Sequence, residues 1–310
     1  MTHSKSPWSV CLASRRGRFA RYFSALAMLS SYVLTQSALA HVYRADVDEA
    51  RWQVESSPLA CRLSQPIPAY GKGVFAQPAG ETQRFWLDSN KRVLISAEAQ
   101  FYQATPEWHD QLPLQLVGSG STTVGHRPVL ALDPIAAQFL DMLEAGLFVQ
   151  IDHPGWYTKH RVSIQVSSVN FTQAYIEYQR CLSGLYSHNF DQLERSTILF
   201  DTDKSNVRGK YDARLKLLEG YLKIDPTVKK IIVDGHTDEV GGDGYNWELS
   251  KNRAEAVAKR LKSLGVPEDQ LEVRYHGERF PVARNTSAAK RQRNRRTTVR
   301  LERVGVLIEE

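Results

Sequence analysis

The rhythm of the sequence changes near residue 190, and that break restricts the chain to folds built from two unlike parts. Over residues 41–190 short strand-like runs dominate, at Trp52–Val54, Phe85–Asp88, Arg92–Ala97 and Gln115–Val117. Pro66-Ile67-Pro68 and Gly71-Lys72-Gly73 punctuate them as turns. Two helices come late. Asp133-Pro134 puts Pro in the first turn of one, and Gly146 closes it. Strands follow at Leu147–Asp152 and Arg161–Val166, and a second helix over Thr172–Leu185 stacks Tyr175, Tyr178, Leu182 and Leu185 on one face, more as core than as a partner groove. Gly118-Ser119-Gly120-Ser121-Thr122 lacks the Lys and spacing of a phosphate loop and reads as a turn.

Residues 191–310 alternate strands with helices. A strand is expected at Thr197–Phe200. Ser205 then caps a helix with the stripe Val207, Tyr211, Leu215, Leu218 and Leu222, which ends at Asp225-Pro226. A buried strand follows at Val228–Val233, and a long helix over Asn246–Leu264 is stopped by Gly265 and Pro267. Alternating strands close the series at Leu271–Tyr275 and Thr298–Arg303, with residues 284–294 as a loop. The fold class is α+β: a β-rich first part with two late helices, then a βαβαββ part with helices on one face of a mixed sheet.

The first 40 residues stand apart. Arg15–Arg21 is cationic, Tyr22–Leu34 is apolar, and Ala38-Leu39-Ala40 is a small-x-small cleavage site. Residues 1–40 therefore read as a secretory signal, with Met28 an alternative start and a retained anchor the competing reading. The apolar run is short for a membrane span, so none is expected after cleavage. Cys11 precedes that run, which argues against a lipid anchor. This segment holds five basic groups and no acid, and without it the chain's net charge of +6 falls to +1. The basic run Lys290, Arg291, Arg293, Arg295, Arg296 and Arg300 then reads as a solvated loop rather than a nucleic-acid surface. Cys61 and Cys181 remain, and an even pair in an exported protein suggests a disulfide; two unpaired buried thiols are the alternative.

One residue in the long helix demands a partner. Leu249, Val257, Leu261 and Leu264 define its apolar stripe, and Arg253 lies on that stripe, four residues from both Leu249 and Val257. A guanidinium there must meet an anion or stay badly desolvated. The strand before the helix runs into Gly235-His236-Thr237-Asp238, so Asp238 is a candidate to face the same cleft. Together they suit a zwitterion, with Arg253 taking a carboxylate through two parallel hydrogen bonds and Asp238 taking an ammonium. Spacing alone leaves a second reading open, in which the two simply pair with each other.

The surrounding residues resemble the OmpA-like peptidoglycan-binding family over about 110 positions. Phe200-Asp201-Thr202-Asp203-Lys204-Ser205 is similar to its opening strand. Gly235-His236-Thr237-Asp238 through Gly241, Tyr245-Asn246, Leu249-Ser250 and Arg253-Ala254 resembles its central signature. Gly277-Glu278, Pro281, Asn285 and Asn294-Arg295-Arg296 are similar to its closing segment, although Thr297-Thr298 stands where the family often continues with Val. The resemblance implies that Asp238 and Arg253 clasp the diaminopimelate of peptidoglycan, that Thr237, Asn246 and Arg295 assist, and that Asp203 lines the pocket.

The first part resembles the N-terminal domain of the MotY family of flagellar motor proteins. Arg51-Trp52, Ser57-Pro58-Leu59-Ala60-Cys61-Arg62-Leu63 and Pro66-Ile67-Pro68-Ala69-Tyr70-Gly71 carry the likeness at one end. Ser167-Ser168-Val169, Phe171, Tyr175 and Cys181-Leu182 carry it at the other, with a patchy stretch between residues 80 and 160. This implies a Cys61–Cys181 disulfide and a place in the periplasmic T ring around the basal body, with MotX-like and stator proteins as partners.

The expected organisation is a signal over 1–40, a basal-body or partner-binding domain over 41–190 and a wall-binding domain over 191–310. The expected role is a periplasmic motor component that grips peptidoglycan and anchors or stabilises stator units. The alternative is a general envelope tether for another periplasmic complex. Nothing in the sequence supports catalysis: neither Gly-x-Ser-x-Gly nor His-Glu-x-x-His occurs. His236 reads as a turn histidine rather than a metal ligand, and no cofactor is expected.

Overall fold

The computed structural model describes residues 42–109, 112–156 and 160–303. The segment read as an export signal lies outside them. In chain order the first ten strands are β1 (Val42–Tyr43), β2 (Gln53–Ser56), β3 (Ala60–Ile67), β4 (Gly71–Pro78), β5 (Arg84–Ser89), β6 (Glu98–Ala104), β7 (Gln115–Ser121), β8 (Val129–Leu132), β9 (Phe148–Pro154) and β10 (Arg161–Val166). Helices α1 (Ile135–Glu144) and α2 (Phe171–Ser183) accompany them. The strands form two five-stranded sheets, ordered β2-β3-β4-β5-β8 and β1-β10-β9-β6-β7.

Alternation sets which side chains meet. In β5, Phe85, Leu87 and Ser89 are buried while Arg84, Trp86 and Asp88 face outward. Phe85 reaches Phe75 at 4.7 Å between ring centroids, and Phe139 of α1 meets Phe85 and Phe101 edge-on at 5.4 Å each. Helix α2 packs on β2 and β3. Phe171 and Tyr178 are its buried members, Tyr175, Leu182 and Leu185 lie half-buried against the same core, and Cys181 is disulfide-bonded to Cys61 with Cα atoms 5.9 Å apart.

Three local expectations fail here, each for a physical reason. Arg92–Ala97 is not a strand; only Val93 bridges, to Gly125, and the strand proper begins at Glu98. Of the Pro66–Pro68 and Gly71–Gly73 segments, only Pro68 lies in the turn; Pro66, Ile67 and Gly71–Gly73 are strand. Pro66 lies beyond the end of β2, where its missing N–H leaves no ladder bond unmade. Gly118–Ser121 is likewise part of β7 rather than a turn. Its glycines let the strand lie close on neighbouring side chains, since a Cβ at Gly120 would sit 3.1 Å from the Phe101 ring and one at Gly118 3.1 Å from Ile135.

A buried Tyr70–His153 pair makes this core sensitive to acid. His153 Nδ1 lies 2.7 Å from the Pro154 carbonyl, which can only accept, so Nδ1 carries the proton and Nε2 accepts from Tyr70 Oη at 2.8 Å. Burial pushes the His153 pKa down to about 4, against a smaller upward pull from the Pro154 carbonyl. Between that value and about 6.5 the unfolded chain binds the extra proton, so stability from this group is complete above pH 6.5 and falls as the pH drops towards 4. The expected loss is about 3 kcal/mol. Urea denaturation from pH 7.5 to 4.5 checks it, and a flat profile, or an unchanged one for His153→Gln, would refute the assignment.

The remaining elements are α3 (Phe190–Leu193), β11 (Arg195–Leu199), α4 (Asp212–Ile224), β12 (Val228–Gly235), α5 (Asp243–Leu264), β13 (Leu271–Tyr275), α6 (Ala288–Asn294) and β14 (Arg296–Arg303). The sheet order is β11-β14-β12-β13, with β12 parallel to β13 and antiparallel to β14. Leu215, Leu218, Val257 and Leu261 from the two long helices pack with Ile198, Ile231, Val233 and Val299 from the sheet. The mixed sheet and α+β class follow the sequence reading, but the loop expected at 284–294 contains α6, whose first turn is capped by Ser287 Oγ accepting from the Lys290 N–H. Ser205 is not a cap either, because α4 starts at Asp212 after a short 3-10 turn at Gly209–Tyr211.

The segment between α2 and β11 is fastened on both sides. Tyr186 donates its N–H to the Pro58 carbonyl at 2.8 Å and its hydroxyl to the Leu217 carbonyl at 2.7 Å. Gln192 Nε2 donates to the Gly80 carbonyl at 3.0 Å, and Leu59 packs against the C-terminal core. Asp225 accepts from Tyr221 Oη at 2.7 Å and from Arg303 Nη2 at 2.6 Å, while that guanidinium lies 3.9 Å from the Phe190 ring centroid. Burial opposes the Asp225 charge, but the hydrogen bonds from Thr227, Tyr221 and Arg303 prevail and hold its pKa at about 2.

Candidate functional site

The site is built where β12 ends and α5 begins. β12 must finish in glycine, because a Cβ at Gly235 would press into the Ser250 carbonyl of α5. That close approach brings His236, Thr237 and Asp238 over the first half of the helix. All three are buried, as are Asn246, Ser250 and Arg253 on the helix face opposite. The face is therefore polar at one end and apolar at the other, with Leu249 only half-buried.

Arg253 has no exposed surface. It donates from Nε to the Lys204 carbonyl at 2.9 Å, from Nη1 to the His236 carbonyl at 3.1 Å and from Nη2 to the Asp201 carbonyl at 3.2 Å. The Phe200 ring lies 5.4 Å from its central carbon. Burial lowers its pKa to about 10, with Asp238 and Asp203 pulling it back up and Arg295 adding to the depression, so it stays charged at neutral pH. Three of the five guanidinium N–H groups thus serve carbonyls, which leaves one on each terminal nitrogen, the pair that a carboxylate takes in the bidentate mode.

Asp238 does not pair with Arg253. Its Oδ2 accepts from Arg295 Nη1 at 2.8 Å and its Oδ1 from the Val240 N–H at 3.2 Å. This differs from the internal Asp238–Arg253 bridge left open above: the two act on each other only through the field, and Arg295 is the direct partner. Arg295 also donates to the Phe200 carbonyl at 3.3 Å and to Gln292 Oε1. Asp203 sits at the outer edge, accepting from Tyr245 Oη at 3.2 Å.

Two buried side-chain oxygens of these residues have no hydrogen-bond partner: Thr237 Oγ1 and Asn246 Oδ1. The amide nitrogen of Asn246 is satisfied by Glu278 Oε2 at 2.7 Å. An unpaired buried acceptor costs about 1–3 kcal/mol, so these atoms are poised for a donor such as an ammonium or amide N–H. Spacing pointed to Asp238 and Arg253 alone, and the resemblance implied the others: Arg295 bonds Asp238, Thr237 adjoins it in the turn, Asn246 shares the buried helix face with Arg253, and Asp203 acts on Arg253 through its charge.

Several neighbours were not singled out from sequence. Glu278, Tyr245 and Gln292 hold Asn246, Asp203 and Arg295, and the carbonyls of Asp201, Lys204 and His236 hold Arg253. Glu278 had a signal, since it lies within the quoted closing segment. Backbone carbonyls carry none. The basic run also turns inward more than expected: Arg296 is buried beside Arg295 and donates to the Phe280 carbonyl at 3.0 Å. His236 stacks on His276 at 4.9 Å between ring centroids, and burial, reinforced by Arg296 and His276, lowers its pKa to about 3. Beside the cluster, Asp243, Trp247, Glu278 and Arg279 line an open cavity of about 420 Å³.

Comparison with known proteins places these two parts. Residues 43–187 match the MotY N-terminal domain, and residues 199–295 match the OmpA family. The sodium-type flagellar protein MotY of Vibrio parahaemolyticus is 24% identical over 274 residues, which is 85% of this chain and 91% of that protein. The outer-membrane lipoprotein YfiB of Pseudomonas aeruginosa is 40% identical over 84 residues, 27% of this chain and 49% of the lipoprotein. The solved peptidoglycan-associated lipoprotein from Burkholderia pseudomallei shares 37% identity, covering 34% of this chain and 89% of its own, with a TM-score of 0.33. The chain thus joins a stretch that matches the MotY N-terminal domain to one that matches the OmpA family.

Proposed function

We propose that this chain is a periplasmic component of the flagellar motor that holds peptidoglycan non-covalently and anchors or stabilises stator units around the basal body. The observation that carries the reading is the joining of the two domains in one chain, in an arrangement that spans 91% of the Vibrio MotY. In this reading residues 1–40 are removed on export, residues 41–190 meet the basal body with MotX-like or stator partners, and residues 191–310 grip the wall. No helix among the described residues is long and apolar enough to cross a membrane.

The grip is a zwitterion clasp for the amino-acid end of diaminopimelate. The carboxylate is taken by the remaining N–H groups of Arg253, and the ammonium by Asp238 with Thr237 Oγ1 and Asn246 Oδ1. Arg295 holds the Asp238 carboxylate in place, and Asp203 closes the rim. Because Arg253 is fully buried, its neighbours must shift for a carboxylate to reach it. The groups present bind and orient, and the reading assigns them no bond-breaking step.

The purified protein is expected to sediment with peptidoglycan sacculi. Asp238→Ala should weaken that retention by about 1.5–3 kcal/mol, roughly ten- to a hundredfold, as for a lost charge-assisted hydrogen bond. Equal sedimentation of the variant and the parent would refute the clasp. Deleting the gene should abolish swimming while filaments still assemble, and normal motility in the deletion strain would end the motor assignment.

A further inference from the structure

The outer face of the β2-β3-β4-β5-β8 sheet carries a trough remote from the clasp. Its floor is made of small residues, Ala60, Ala76 and Pro78, from β3 and β4, and it encloses about 430 Å³. A sheet face paved with small residues leaves a depression that its neighbours cannot fill. Register explains the placing: Arg62, Ala76, Arg84 and Leu132 are successive cross-strand partners, so one row across the sheet reads cation, gap, cation, aliphatic. Trp86 and Leu130 pair in the parallel row, and Arg127 leans over the Trp86 ring at 5.3 Å. Leu130 and Leu132 are 51% and 55% exposed.

The trough is lined by three guanidiniums, Arg62, Arg84 and Arg127, and by no carboxylate. Each guanidinium does hold an acid just outside the trough. Arg62 meets Glu55 at 3.3 Å, Arg84 meets Glu81 at 3.2 Å and Arg127 meets Asp88 at 2.8 Å. These arginine side chains are 55%, 37% and 70% exposed, so such pairs are worth about 0–1 kcal/mol and exchange readily for a better-placed carboxylate. The Asp88 contact shows the preferred geometry: its Oδ1 accepts from both Arg127 Nε at 2.8 Å and Trp86 Nε1 at 3.0 Å, so one carboxylate can bind guanidinium and indole together.

We propose that this trough docks an acidic, leucine- or phenylalanine-containing peptide segment of a partner protein. The segment's carboxylates take Arg62, Arg84 and Arg127, and its apolar side chains sit on Ala76 and Pro78, beside Trp86 and Leu130. Charge complementarity selects the sign of the partner. The apolar floor and aromatic wall select a peptide over an anionic membrane surface, whose headgroups present charge without a side chain for the depression. The inference deepens the reading of residues 41–190 as the partner-binding part and rests on that reading.

The test uses the full exported chain and a fluorescein-labelled twelve-residue peptide of alternating Glu and Leu, read by anisotropy in roughly 0.1 M salt, where surface attraction is only partly screened. Saturable binding is expected, at least tenfold weaker for Arg84→Glu/Arg127→Glu and for Trp86→Ala, and absent for the Lys/Leu peptide. Vesicles of phosphatidylglycerol and phosphatidylethanolamine serve as the competing occupant. Unchanged binding by both variants overturns the proposal, as does capture by vesicles with no peptide binding. Melting curves and sacculus sedimentation of the variants should match the parent; if either variant unfolds, Arg62→Gln with Arg127→Gln replaces it. The two readings fail separately. A deletion strain that swims normally, with purified trough variants that lose the peptide, overturns the motor reading and leaves the trough standing. Swimming that requires the gene, with purified trough variants that keep parental peptide affinity, does the reverse.

Discussion

Arg253→Ala is expected to destabilise the C-terminal domain by at least about 3 kcal/mol, even with no wall present. The substitution strips a donor from the carbonyls of Asp201, Lys204 and His236 at once; the buried His236 acceptor left short costs about 1–3 kcal/mol, and the two half-buried ones add less. It also empties the space of a fully buried side chain above the Phe200 ring. Arg253→Lys should recover only part, since a compact ammonium cannot span three acceptors fixed to a planar fork. Urea denaturation of the purified protein measures the loss. A parental midpoint for Arg253→Ala would show that the carbonyl contacts contribute little. Asp238→Asn supplies the contrast: it keeps shape and an acceptor for Arg295, so its cost should appear in sacculus retention more than in the unfolding midpoint.

The second large effect concerns the disulfide. Cys61→Ser with Cys181→Ser should lower stability by about 5 kcal/mol in the chain-entropy view, because the bond closes a loop with a sequence separation of 120. At roughly 2–4 °C per kcal/mol that is a fall of 10 °C or more in melting temperature. Cys61 is fully buried at the foot of β3, whereas Cys181 is only half-buried, so a reductant meets the bond at the Cys181 sulfur. A double serine variant that melts with the parent would contradict this account.

Arg253 was legible in the sequence as a charge on an apolar helix face, but its partners were not. The three carbonyls come from residues 49, 17 and 52 positions away, and no side-chain pattern marks a carbonyl for use. Periodicity also placed Leu249 in the buried stripe, whereas Asn246 and Ser250 take the covered positions and Leu249 is half-buried. A hydrophobic count cannot see a polar core that is assembled around a binding region. The glycines of β7 misled in the opposite sense. They look like a turn until Phe101 and Ile135 are known to press on them. The strands at Arg161–Val166 and Leu271–Tyr275 needed no such knowledge, because alternation and turn residues fix them locally.

The stretch from Tyr186 to Leu193 bears on how a pull at the wall is felt at the other end of the chain. A Gly- or Ser-rich connector would let the wall-binding domain wander over a cone, and its reach would average as the square root of its length. Here the connecting residues are bonded to Pro58 and Gly80 on one side and Leu217 on the other, and the Cys61–Cys181 bond clamps the helix that leads into them. In the proposed reading, a pull entering at α5 meets these bonds before the connecting residues can extend, at the point where a flexible linker would give way first.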